Sequence, residues 1–214
     1  MRELAKKTAR FFCWLLTWPM LLRYALWRVF VGPERAFLQA AQSASRWTGL
    51  GGQYLRAALL GRLVRRMGKD VVIAFGSVLT KRDVELDDGV YVGTYCLLGQ
   101  VRVGADTLIA DHVCIPSGSQ QHGTARLDVP VRQQEGQFKT ISIGRDCWIG
   151  SSSVVLADVG DHCVVAAGSV VVQPVQEYQV VGGNPARVIG DRRKKAPAPG
   201  GPTPALPVRE IGEA

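Results

Sequence analysis

The sequence predicts a mainly β protein, a solenoid of short stacked strands behind a helical N-terminal region. Three observations carry that expectation. Aliphatic residues recur at every sixth position: Val103, Ile109 and Ile115, then Ile143, Ile149 and Val155, then Val159, Val165 and Val171. Four places after most of them stands a small or thin residue: Thr107, Val113, Ser119, Cys147, Ser153, Cys163, Ser169 or Val175. The position directly after the aliphatic is often Gly or Ala, as in Gly104, Ala110, Gly144, Gly150, Gly160 and Ala166. A period of six suits neither a helix nor a simple alternating strand. It suits one flat side of a coil, a short strand and a turn, with three sides closing a triangular rung. The aliphatic then points into the prism, and the small residue fills a corner. Gly or Ala eases the bend. The ladder slips twice, between Val92 and Val103 and between Val155 and Val159.

Three regions follow from this pattern. Residues 1–70 read as an N-terminal amphipathic helical region, 71–190 as the coil with a loop over 116–140, and 191–214 as a tail. The tail is basic at Arg192, Arg193, Lys194 and Lys195, then rich in Pro and Gly from Ala196 to Ala214, which predicts no fixed structure. Net charge is +8, with much of the excess outside the coil. No helix-turn-helix, zinc-finger or RNA-binding pattern accompanies it, so nucleic acid is not the expected partner. The five cysteines form no CxxC pair, and Cys96, Cys147 and Cys163 fall on small inward positions. That usage predicts a reducing compartment and no structural disulfide.

Residues 11–31 are strongly apolar but are interrupted by Pro19, Arg23 and Arg28, and a central Arg is costly in a lone membrane span. On a helical wheel Arg2, Lys6, Arg10, Thr17, Tyr24 and Arg28 gather on one side, with Trp, Leu and Phe over the other. That pattern predicts a helix lying in the headgroup layer, a peripheral membrane contact through residues 1–32. Lys6, Lys7 and Arg10 would each add roughly 1 kcal/mol of attraction to anionic lipid. Packing of these helices on the coil or on a neighbouring subunit is the alternative. A signal peptide is disfavoured because no small-x-small cleavage site follows. The expected location is cytoplasmic, on the inner face of the plasma membrane. A second basic stretch, Tyr54 to Met67 with Arg56, Arg62, Arg65 and Arg66, leads into the coil and is placed to cap its first rung.

After Ile115 the ladder stops, resuming at Ile141 or Ile143, and the intervening loop carries His122, one of three histidines. Long loops inside tight repeats are usually functional or disordered. Taken together, the hexads, the looped-out histidine, Asp146-Cys147-Trp148-Ile149-Gly150, Ala167-Gly168-Ser169-Val170-Val171 and Gly183-Asn184-Pro185-Ala186-Arg187 resemble the hexapeptide-repeat acyltransferases, in the maltose, xenobiotic and surface-polysaccharide O-acetyltransferase branch. The resemblance spans roughly residues 71 to 190. It implies a left-handed parallel β-helix, a homotrimer with active sites between subunits, an acetyl-CoA co-substrate and a hydroxyl acceptor on a sugar or glycan.

Transfer of acetyl from a thioester to an alcohol needs a base for the hydroxyl proton, and imidazole is matched to that work near neutrality. His122 is the candidate base, for direct transfer in a ternary complex. His112 sits near where similar enzymes carry an acceptor-binding residue. By the same resemblance Trp148 lines the wall along which the pantetheine arm runs, with simple packing on the coil exterior as the alternative. Backbone amides at Ser151, Ala167 and Gly168 are candidate partners for the pantetheine amides, and Arg187 for the CoA phosphates. Arg192, Arg193 and Lys194 read as a solvated tail, and His162 as a surface corner residue. The spacing of His112, His122 and His162 does not fit the three zinc ligands of a carbonic anhydrase on the same coil, so no metal is expected. A non-catalytic trimeric scaffold and a serine acetyltransferase-like enzyme are the competing functions.

Overall fold

The computed structural model describes residue 8 and residues 11–195. The expectations for Arg2, Lys6, Lys7, Arg10 and the Pro- and Gly-rich tail lie outside the described residues. A helical run at 11–16 leads into α1 (Trp18–Val31), with Pro19 in its first turn, where a missing N–H costs nothing. Gly32, at φ 82°, ends α1 with its N–H on Arg28 O, and Pro33 starts α2 (Pro33–Ser45) at once. The two helices pack as a hairpin; Ala36, Phe37, Ala40, Ala41 and Ala44 of α2 are all buried, and the four alanines allow neighbours to approach closely.

The part of the polar side that carries Thr17 and Tyr24 is packed, while Arg28 stays exposed. Thr17 is fully buried and Tyr24 is 8% exposed, while Leu22, Leu26, Val29 and Phe30 stand in the open. Periodicity marks two faces of a helix; the neighbour decides which is covered, and here α2 takes the face carrying Tyr24.

α3 (Gly49–Leu60) then caps the coil. Arg56 lies in it, 1% exposed, donating from Nε to Ile73 O at 2.8 Å and from Nη1 to Trp47 O at 2.6 Å and Ala44 O at 3.3 Å. Burial pulls its guanidinium below the ordinary arginine value. One side chain thus satisfies carbonyls at the end of α2 and on the first rung, which has no preceding rung to bond them.

The coil has three faces. The first holds β1 (Arg66–Met67), β4 (Glu85–Leu86), β7 (Val101–Val103) and β10 (Ile141–Ile143). The second holds β2 (Val72–Ile73), β5 (Tyr91–Val92), β8 (Leu108–Ile109), β11 (Trp148–Ile149), β13 (Val164–Val165) and β15 (Gln179–Gly182), with β16 (Arg187–Asp191) added antiparallel at the end. The third holds β3 (Val78–Leu79), β6 (Leu97–Leu98), β9 (Cys114–Ile115), β12 (Val154–Val155) and β14 (Val170–Val171). All strand pairs but β15–β16 are parallel, and the rungs number about six. Together these faces form a left-handed β-helix.

The turn length is not constant. Ile73 pairs with Val92 nineteen residues on, Val92 with Ile109 seventeen on, and Ile149 with Val165 and Val165 with Val181 sixteen on. The slip at Val155–Val159 is therefore a shortened side that repeats, since Val159 bridges Val175.

Inside, the aliphatics stack as expected: Ile109, Ile115, Ile149, Val155 and Val165 are fully buried. The small inward residues have a second task. Thr107 Oγ1 donates to Gly144 O at 2.7 Å, Ser153 Oγ to Gly150 O at 2.7 Å, and Cys163 Sγ to Gln176 O at 2.9 Å. Each meets a corner carbonyl that a purely apolar residue would leave orphaned. Burial pushes the Cys163 thiol up to about 11 and raises Cys96 and Cys147 as well, so these are packing groups. All five cysteines are unpaired. Ser119 departs from the expected pattern: the coil breaks at 116, and Ser119 is exposed in the loop rather than packed at a corner.

Candidate active site

The loop over 116–140 leaves after β9 on the third face and returns at β10 on the first. Its base is stitched: Lys139 N–H donates to Ser117 O at 3.0 Å and Gln137 N–H to Gln120 O at 2.6 Å. Ser117, 2% exposed, accepts from Gln100 N–H through its hydroxyl at 2.9 Å, tying the root to the coil. Farther out, the Gln134 amide holds a turn by accepting from Arg126 N–H and donating to Arg126 O and Val129 O. Arg126 also pairs with Asp128, which keeps that carboxyl below the usual carboxylate range.

Between root and turn sits His122. The returning chain presses against it: a Cβ at Gly136 would lie 2.0 Å from Gln121 O and 2.5 Å from His122 N. Only glycine permits that contact. The His122 backbone is thereby fixed, its side chain is exposed, and among the described residues its ring makes no hydrogen bond. It stands at the corner between the third and first faces with both ring nitrogens free for an outside partner.

The other candidates gather along a different edge. The corner between the second and third faces stacks His112, then Ser151, then Ala167 and Gly168 on successive rungs. His112, at φ 59°, stacks on Tyr95 with ring centroids 5.4 Å apart and planes 9° from parallel. Beside it Asp111 accepts from Thr94 N–H at 2.6 Å and Thr94 Oγ1 at 2.9 Å, which lowers its pKa. Gly168 N–H is already bonded to Ser151 O at 2.8 Å, so this amide is part of the coil's own ladder. Trp148 lies on the adjoining second face, 55% exposed, between Leu108 and Val164. Arg187 opens β16 after the cis Asn184–Pro185 bond, exposed and beside Gly182. Within one protomer, then, five candidates and Trp148 flank one edge, and His122 leaves from the next, one prism face away.

A cluster that the sequence reading did not find occupies the third edge. His162 Nδ1 lies 2.9 Å from Asp146 Oδ2, and its ring stacks on Tyr178 at 4.9 Å. Arg192 donates to Asp146 O at 2.8 Å and His162 O at 3.1 Å, and its Nη1 is 3.2 Å from Asp146 Oδ2. Arg193 lies over Tyr178. The His162 contact, with Arg192 behind it, holds the Asp146 carboxyl below its usual range. Arg192 is thus a clasp that ties the segment after β16 to the coil, not a solvated tail residue. The missed signal was spacing: Asp146, His162 and Tyr178 stand sixteen apart, one turn each in this half of the coil.

Among the described residues, no three His, Cys, Asp or Glu side chains cluster so as to hold a metal ion. Residues 140–173 match the family model described as the hexapeptide repeat of succinyl-transferase. Similar solved structures include a hexapeptide-repeat acetyltransferase from Vibrio cholerae, at 24% identity and TM-score 0.62 over 74% of this chain and 92% of that one. The fold is that of the hexapeptide-repeat acetyltransferases. A Vibrio cholerae O1 biovar eltor enzyme of that class, complexed with acetyl coenzyme A, shares 26% identity over 74% of this chain and 86% of its own, at TM-score 0.55. A maltose O-acetyltransferase from Clostridium difficile 630 shares 21% over the same fractions, at TM-score 0.59. Comparison with curated protein sequences returned no match.

Proposed function

We propose that the protein is an acetyl-CoA-dependent O-acetyltransferase acting on a hydroxyl of a sugar or of a surface or lipid-linked glycan, with His122 as general base. The observation that carries this reading is a histidine whose backbone is locked by Gly136 and whose ring is free, on the one long insertion in a coil that otherwise repeats. The neighbour complexed with acetyl coenzyme A supplies the donor by analogy.

In the proposed reaction the acceptor oxygen attacks the thioester carbonyl as His122 takes its proton. The tetrahedral intermediate collapses with cleavage of the C–S bond, and the imidazolium returns the proton to the departing thiolate. The products are an acetyl ester and free CoA. No nucleophilic serine or cysteine is required, in keeping with the raised thiols of Cys96, Cys147 and Cys163.

A homotrimer completes the site. His122 and the edge lined by Trp148, Ser151, Ala167, Gly168 and Arg187 are separated by the third face within one protomer, so a neighbour would bring one protomer's loop to another's edge. Outward side chains favour such contacts on two faces. The second shows Tyr91, Leu108 and Trp148 and the third Leu97, all more than a third exposed, whereas the first carries Arg66, Glu85 and Arg102 in ion pairs.

No described helix is long and apolar enough to cross a membrane, and the open apolar face of α1 supports peripheral docking on the inner face of the plasma membrane. A thiol-release assay with acetyl-CoA across soluble sugars, amino alcohols and lipid-linked glycans tests the whole reading. Release is expected with a hydroxylated glycan acceptor. No acceptor-dependent release with any of them would favour the scaffold alternative. Retention of membrane association after removal of residues 1–32 would sink the docking.

A further inference from the structure

Between α1 and α2 lies a cleft of about 290 Å³ whose lining includes Arg23, Tyr24 and Trp27 from one helix and Gln39, Ser43 and Arg46 from the other side. Tyr24 is 8% exposed, and its hydroxyl is the one buried side-chain polar atom among the described residues with no hydrogen-bond partner. Leaving such a group dry is costly, which calls for a ligand atom or a solvent molecule beside it. Arg23 reaches Ser43 Oγ at 3.1 Å, and neither Arg23 nor Arg46 forms an ion pair among the described residues. Among the described residues no acidic side chain lines the cleft, and none stands between Glu3 and Glu34 in the sequence. The C-terminal carbonyls of α2 would oppose an anion here, but the buried Arg56 already binds Ala44 O and Trp47 O.

The cleft also meets the open apolar surface. Arg23 and Trp27 line it and line the adjoining hollow with Leu26 and Phe30. Along the same helix Trp18, Leu22, Leu26, Val29 and Phe30 are 55 to 79% exposed on one face. A cationic notch with an unpartnered hydroxyl, opening beside an unpartnered apolar face, has the chemistry of a phospholipid: phosphate in the notch, acyl chains against the face.

We infer that the cleft between α1 and α2 receives the phosphate of an anionic phospholipid while the α1 face enters the acyl boundary. The site rests on the membrane-docking part of the proposed function and gives it a specific contact. The two arginines supply charged donors, Tyr24 Oη, which has almost no open surface, supplies a third on a small shift of its ring toward the phosphate, and Trp27 sits at the depth where indole rings favour the membrane interface.

The test is sedimentation of the full chain with vesicles of pure phosphatidylcholine and of an equimolar phosphatidylcholine–phosphatidylglycerol mixture. The decisive variants, Tyr24→Phe and Arg46→Lys, leave net charge unchanged, so diffuse attraction would not register them. The wild type is expected to bind the mixed vesicles, and each variant to bind them about tenfold more weakly, as for loss of one hydrogen bond to a charged group. Variants that bind as well as the wild type would overturn the headgroup site and leave peripheral docking standing. A wild type that sediments with neither vesicle would remove both. In a third arm, Leu22→Glu with Phe30→Glu should abolish vesicle binding at unchanged mass in light scattering. A fall in mass with vesicle binding intact would assign the face to another copy of the chain and overturn the site.

Discussion

His122 and His162 are the same side chain placed in opposite circumstances. His162 sits at a corner of the coil, held by Asp146, stacked on Tyr178 and flanked by Arg192. His122 stands on the inserted loop with a fixed backbone and an unengaged ring. An aspartate–histidine pair is a familiar arrangement for a general base, so the coil's pair is a serious rival. The difference lies in what surrounds the carboxylate. Arg192 sits on the same Asp146 oxygen that faces His162, which blunts its effect on the imidazole, and the ring is packed flat against a tyrosine. The arrangement at His162 fastens the segment after β16, whereas the one at His122 leaves an imidazole free to serve as the proposed base, to be oriented by substrate or, in the proposed trimer, by a neighbouring protomer.

Replacing His122 by Ala tests the contrast most severely. A general base contributes about 10²- to 10⁴-fold, so kcat in the thiol-release assay should fall by that range. The melting temperature should stay put, because the exposed ring packs on nothing that holds the fold. Full activity in His122→Ala, with loss in His162→Ala, would move the chemistry to the Asp146–His162 corner.

Gly136→Ala sharpens the comparison by disturbing the frame and leaving the base in place. The added methyl would overlap the Gln121–His122 peptide, so one strand of the loop must shift. Misplacement of a catalytic group by about 1 Å can cost some 10²-fold. Activity is expected to fall toward that extent while the coil, whose core lies elsewhere, melts close to its usual temperature. An undiminished rate would mean that the loop closes into its working shape only on binding substrate.

How much of this was readable beforehand depends on whether the information repeats. Inward positions recur on every rung, so Ile109, Ile149 and Val165 declare the coil by themselves. Turn length is not constant along the coil, shifting from nineteen to seventeen residues before settling at sixteen in the last rungs. A reading built on equal sides therefore cannot stack Asp146 on His162 on Tyr178. Ser119 continues the pattern in sequence and leaves it in space, because the loop begins three residues earlier. On α1 both faces of the wheel were legible, but which one α2 covers is a property of the partner helix. His122 was found from its place on an interruption, and the direction of its ring is encoded in no periodicity. The contact with Gly136 joins positions fourteen apart through a loop without a repeat.

The smallest expected effect concerns the coil's own histidine. Asp146→Asn removes the carboxylate that His162 and Arg192 share, at a site where Asp146 is 52% exposed and solvent screens the charges. A loss of about 1 kcal/mol is the scale for such a half-exposed pair. The pH dependence carries the sign that identifies it. The folded-state pKa of Asp146 is depressed, chiefly by the His162 contact and further by Arg192, so its contribution is in place above the ordinary aspartate value near 4. It disappears as pH falls through the lower folded-state value. Wild type and Asp146→Asn should therefore differ in urea midpoint at pH 6 and converge at strongly acid pH, where the wild-type carboxyl is also protonated, with acetyl transfer at neutral pH changed by less than about threefold. A difference in midpoint that grew on acidification would show that the carboxylate is not what holds this corner, and a large loss of transfer at neutral pH would make the fastened histidine, not the free one, the base.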